Sequence, residues 1–185
     1  MTRRRLAFCC LSLALASCDG GQKQAPRAEP SAAPQAAPSL LLAANLLPAL
    51  DLLKRQAGPN IQALELDAYP DHLVLKARDP ALPARVLQHV YRDGRLEKPV
   101  PVRLLGAGKL DENLFPLSDA QLDAIPELCR SAVKTVDERF GKVSHVLLRR
   151  NLPLDENVQF RVYVQSPAKD GYVDADASGK LLGGG

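Results

Sequence analysis

The residues of this 185-residue chain whose types could do chemistry are few: three histidines, a pair of aspartates and a cysteine in a helical pattern. His72, His89 and His145 fall in separate alternating stretches without Cys, Asp or Glu at ligand spacing. A metal site needs several donors converging at fixed distances. The three are therefore expected at partly exposed strand positions. Asp174 and Asp176 stand two apart, which puts both carboxylates on one face of a strand. That suits a cation contact, and it suits solvated acids before a turn, which is the expectation. Cys129 reads as a small buried apolar side chain. Gly106-Ala107-Gly108-Lys109 has the wrong glycine spacing for a phosphate loop, and Leu110 takes the place of the needed hydroxyl. No serine has a nucleophile-elbow setting. No catalytic, cofactor-binding or metal-ligating constellation emerges, and an enzyme is not expected.

Chemistry of another kind is written at the start of the chain. Arg3, Arg4 and Arg5 precede an apolar run over residues 6–16, too short to stay in a bilayer as a spanning helix. The run closes with Leu15-Ala16-Ser17-Cys18. This grammar resembles the lipobox of bacterial lipoproteins, in which small residues precede a cysteine that receives a diacylglycerol before cleavage on its N-terminal side. The resemblance implies a signal peptide over residues 1–17, cleavage between Ser17 and Cys18, and acylation of Cys18. An ordinary secretory signal cut near Ala16 would instead leave a free thiol in an oxidising compartment. Each buried methylene contributes about 0.8 kcal/mol, so two or three chains of palmitate type hold durably where one holds weakly. Asp19 resembles the inner-membrane retention signal of enteric lipoproteins. The expected location is a bacterial cell envelope, facing the periplasm, on the inner rather than the outer membrane.

Charge then takes on a different meaning. The 24 Lys and Arg residues include Arg3, Arg4 and Arg5, and residues 1–17 hold no acid, so the remaining 21 bases face 21 acids. With no basic excess and only 4% aromatic residues, the electrostatic footprint of nucleic-acid binding is missing. Cys9 and Cys10 leave with the signal, so Cys129 has no partner for a disulfide.

The elements follow in order. Residues 18–39 are Gly-, Gln-, Ala- and Pro-rich, with Pro26, Pro30, Pro34 and Pro38 evenly spaced. No face can be buried there, and a disordered tether reaching on the order of 60 Å is expected. A first unit spans residues 40–105. It opens with an amphipathic helix over 40–57, Pro48 lying in its first turn or at a kink. Period-two stretches then predict strands over 61–68, 73–77 and 86–91, with an edge strand over 96–104 that contains Pro99 and Pro101. Residues 106–117 form a connector. The second unit, 118–185, opens with Ser118 as N-cap, Gln121 completing a capping box, and a helix running to Gly141 past Pro126. Strands are predicted over 143–149, 158–165 and 171–174, and a Ser178-Gly179 turn leads into Lys180-Leu181-Leu182.

The two units share a plan: Pro48 and Pro126 each precede a leucine by two, and Gly94-Arg95-Leu96 is echoed by Gly179-Lys180-Leu181. The second unit resembles the PepSY family of extracytoplasmic domains. The similarity lies in the helix end from Ala132 to Gly141, in Phe160-Arg161-Val162-Tyr163-Val164, in Gly171-Tyr172-Val173-Asp174 and in Ser178-Gly179-Lys180-Leu181-Leu182. The stretch from Leu96 to Pro101 departs from the pattern. The resemblance implies an α+β fold, one helix across a small antiparallel sheet in each repeat, a role in holding or inhibiting a partner protein, and no catalytic residue. The expectation is a lipid-anchored envelope protein that binds or regulates another envelope protein through a sheet face. The alternatives are an enzyme with a site gathered from dispersed polar residues and a spacer between membrane and wall.

Overall fold

The structure is a computed structural model, described for residues 39–105 and 108–185. The expected signal peptide, Cys18 and nearly all of the tether lie outside the described residues, as do Gly106 and Ala107 of the connector.

The period changes visible in the sequence become one α+β layer pair. Helix α1 (Ala43–Ala57) precedes β1 (Gln62–Ala68), β2 (His72–Arg78), β3 (Val86–Arg92), β4 (Arg95–Leu96) and β5 (Val100–Pro101). A single turn, α2 (Leu110–Asn113), and the bridge strand β6 (Phe115–Pro116) lead to α3 (Ile125–Asp137). Strands β7 (Lys142–Arg150), β8 (Val158–Gln165), β9 (Gly171–Asp176) and β10 (Leu181–Gly184) close the chain. All ten strands belong to one sheet, ordered β10-β9-β8-β7-β1-β2-β3-β4, with β5 beside β3 and β6 beside β1. The seam between the halves is the antiparallel pair β1 and β7, with Leu66 opposite Leu148 and Asp67 opposite Leu147.

The two long helices, α1 and α3, press on the same face. α1 packs on β2 and β3, and α3 on β7, β8 and β9. Leu46, Ala49, Leu50, Leu53 and Ala57 are buried on α1, and Ile125, Leu128, Cys129, Ala132 and Val136 on α3. The spacing is the same in both, a stripe at three- and four-residue steps. These side chains join Leu66, Leu73, Leu75, Leu148, Phe160 and Val162 in a single core. Burying side chains of this size contributes about 1.5–3 kcal/mol each.

Three local expectations are corrected. Ser118 starts no α-helix: Leu117–Asp119 and Leu122–Ala124 form two 3-10 turns, and α3 starts at Ile125 beside Pro126. The Leu117 N–H donates to the Ile61 carbonyl (2.9 Å) and the Gln121 N–H to the Ala177 carbonyl (2.8 Å). Those tertiary bonds outcompete the capping box, and the fixed φ of proline suits a helix start. The edge strand over 96–104 is reduced to the short pairings of β4 and β5, since Pro99 and Pro101 have no N–H for a ladder. Pro48 lies inside α1, beyond its first turn. The turn that echoes between halves is real in geometry: Gly94 (φ 78°) and Gly179 (φ 85°) both take the left-handed region. A β-carbon on Gly179 would also stand 2.6 Å from that of Ala124.

Candidate functional site

Alternation along the strands sends one set of side chains into the core and leaves the other on a face that no helix of the described residues covers. Register sorts the open face into rows. One row carries Arg92, His72, Tyr69, His145, Tyr163 and Tyr172. The next carries Val90, Val74, Asp67, Leu147, Arg161 and Asp174. A third holds Lys76 opposite Glu65 and Arg149 opposite Gln159.

The first row is a continuous stack. The Tyr69 ring lies 4.3 Å from that of His72, at 7° between planes, and 5.2 Å from that of His145, at 19°. His145 in turn lies 4.4 Å from Tyr163, and Tyr172 leans against Tyr163 at 6.4 Å and 50°. The Arg161 guanidinium covers the Tyr172 ring at 4.2 Å. Offset stacking contributes about 0.5–1.5 kcal/mol per pair. It also consumes the ring faces, so the row presents edges, phenol oxygens and imidazole nitrogens on the open face. An Asp71 carboxylate accepts from His72 Nδ1 (2.8 Å), and the Ser144 hydroxyl meets His145 Nδ1 (3.2 Å). Burial lowers the His145 pKa, which favours the neutral ring.

Beside the stack sits a carboxyl pair. Burial, followed by the neighbouring Glu65, pushes Asp67 up to about 7. Burial acts in the same direction on Glu65, but the Lys76 ammonium bonded to it and the Asp67 carboxyl hold it below its ordinary value. Arg149 acts on both through its charge. Of the two carboxyls, Asp67 is therefore the one that binds a proton more readily, and it titrates near neutrality while Glu65 stays ionised.

Asp174 and Asp176 do share the open face, but each carboxylate is occupied. Arg161 grips Asp174 with Nε at 2.7 Å and a terminal nitrogen at 2.8 Å, a bidentate pair. Asp176 Oδ1 accepts from the Ser178 N–H (2.9 Å), the Ser178 hydroxyl (2.6 Å) and the Lys180 N–H (3.0 Å), fixing the turn into β10. His72 and His145 are at partly exposed strand positions, as expected, and stack on either side of Tyr69. His89 corrects the expectation of partial exposure: it is on the opposite face, buried under α1 with Nδ1 3.0 Å from the Gln56 amide oxygen. Among the described residues no group of three or more His, Cys, Asp or Glu is placed to hold a metal. Cys129 is buried, and burial pushes its thiol up to about 12. Spacing alone missed the stack and the carboxyl pair because Tyr69 reads as a turn residue and the β1–β7 pairing joins distant segments. The i, i+2 spacing of Glu65 and Asp67 was the available signal.

These features define an α+β protein with a two-helix layer on one face of an antiparallel sheet and, on the other, an aromatic row beside a partly buried carboxyl pair. The architecture is shared with the crystal structure of a candidate lipoprotein from Clostridium difficile 630: the TM-score is 0.53 at 12% identity, over 74% of this chain and 89% of that one. No protein-family model and no curated protein matches the chain.

Proposed function

We propose that the chain is a bacterial lipoprotein with two repeated PepSY-like units, anchored through an acylated Cys18 at the periplasmic side of the inner membrane, whose open sheet face binds and regulates another envelope protein. The self-stacked row from His72 to Tyr172 carries the reading. Tyrosines held rigid by one another lose little entropy on binding and offer apolar area with a polar edge, the composition of interface hot spots. A flat ligand such as a base or sugar gains less, because the ring faces are already in use. The matching buried stripes of α1 and α3 and the two glycine turns support duplication. The lipobox and the tether supply the anchor, and the fold shared with a candidate lipoprotein is in keeping with it. Among the described residues no helix is long and apolar enough to cross a membrane.

The test is a photo-crosslinking amino acid placed at Gln159 on the open face or at Thr135 on exposed α3, in cells carrying the full chain. One envelope protein crosslinked from Gln159, absent from Thr135, and lost on Tyr163→Ala is expected. Equal, diffuse crosslinking from both sites would sink the reading.

A further inference from the structure

The described chain begins at Ser39, and Ser39 stands in the wall of a groove of about 710 Å3 between the start of α1 and the flank of α3. Leu41, Leu42, Pro126, Val133 and Val143 make the lining apolar. Leu42 leaves 56% of its surface in water. The charged rim is Arg130, Lys134 and Lys142 against a single acid, Glu138. Arg130 is tied to Glu127, whereas Lys134 and Lys142 enter no ion pair among the described residues. Just beyond, Phe140 is 53% exposed with the Arg139 guanidinium 4.9 Å from its ring centre.

We propose that this groove and its lysines rest on the surface of an anionic bilayer, so that the helix layer faces lipid and the aromatic row faces away from it. The inference rests on the lipid-anchor reading. Three observations converge on a lipid surface rather than a protein. Residues 19–38, leading from the expected anchor, deliver the chain to Ser39 in the groove wall. The tether thus holds the groove permanently within reach of lipid, and a weak intrinsic affinity is enough to keep it there. Exposed leucine and phenylalanine with lysine and arginine around them match what the headgroup boundary accepts, apolar groups inward and cations among anionic headgroups. Finally, the groove lies on the helical side, so docking it leaves the opposite face of the sheet free for a partner.

The experiment uses the lipidated full chain in vesicles of phosphatidylethanolamine with phosphatidylglycerol, some of the lipid brominated. Leu42→Cys or, on the open face, Gln159→Cys carries a fluorophore quenched by bromine. Quenching about threefold stronger at position 42 than at 159 is expected, as is a fall of about fivefold in docking for each of Lys134→Glu and Lys142→Glu. All four positions are at least partly exposed, so the fold should persist, and circular dichroism checks it. Equal quenching at the two sites overturns the proposal, as does quenching indifferent to the lysine reversals. Shielding of position 42 in whole envelopes but not in pure lipid vesicles assigns the groove to a protein and overturns it too. Acylation is read separately from the mass of the N-terminal peptide: an unmodified Cys18 removes the anchor and this proposal together, whereas acylation with equal quenching removes this proposal alone.

Discussion

The rings of Tyr69 and His145 lie 5.2 Å apart and 19° from parallel across the seam where β1 meets β7. Each comes from a different half of the chain, so the contact exists only when the halves share one sheet. Unfolding Tyr69→Ala, His145→Ala and the double variant in urea should give a coupling energy of about 0.5–1.5 kcal/mol. Strict additivity of the two single losses would mean that the stack is not formed in solution.

Asp67 gives stability an unusual slope. Its pKa rises from 3.8 to about 7 on folding, first through burial and then through Glu65. The native state then binds more protons than the unfolded chain between those values, so this contribution is complete in acid and is lost as pH rises through about 7. Asp67→Asn should stabilise the protein at pH 8 by on the order of 1–2 kcal/mol, allowing for the part of the carboxyl that water still screens, and by much less at pH 5. Urea midpoints at the two pH values decide it, and a variant equally shifted at both contradicts the assignment.

His89 slopes the other way. Burial holds its pKa below 6.5, with Asp79 opposing weakly. Its neutral ring supports the fold above the unfolded value, and that support is lost as pH falls below about 6.5. His89→Gln, which preserves a polar group for Gln56, should flatten the acid side of the stability profile while leaving pH 8 nearly unchanged. An unaltered acid limb would show that the histidine is not the group responsible.

The Cys129 thiol is buried and pushed up to about 12. Because the thiolate is the reactive form, iodoacetamide at pH 8 should modify the native chain at this position only as fast as the chain opens, and rapidly in urea. Fast labelling of the folded protein would place the thiol at the surface and α3 in a different rotation.

Phe160 is fully buried on β8, in the core that also takes the buried face of α3. Phe160→Ala should cost about 3–5 kcal/mol, the loss of transfer free energy plus an unfilled cavity. A change below about 1 kcal/mol, read by thermal or urea unfolding, would mean that the core described here is not the one that forms.

Reading from sequence worked where the physics is local. The helical stripes, the strand periods and the glycine turns at Gly94 and Gly179 each follow from the spacing of neighbours along the chain, and with them the α+β class. The export grammar ending at Cys18 is local in the same sense, read by position, composition and one thiol, but it lies outside the described residues. Ser118 shows where locality fails: its capping box is sound on paper, yet hydrogen bonds to Ile61 and Ala177 claim the segment first. Leu96 to Leu104 is legible only in part: its two prolines put it at an edge, as expected, but they cannot donate to a ladder, so only the short β4 and β5 pair with β3. Only the tertiary structure could bring His72, Tyr69, His145, Tyr163 and Tyr172 into one row, since that depends on which strand of one half meets which strand of the other. The raised pKa of Asp67 was decided there as well: a carboxyl pair two residues apart is ordinary on a solvated strand, and one member is pushed up to about 7 only once folding partly buries it beside Glu65.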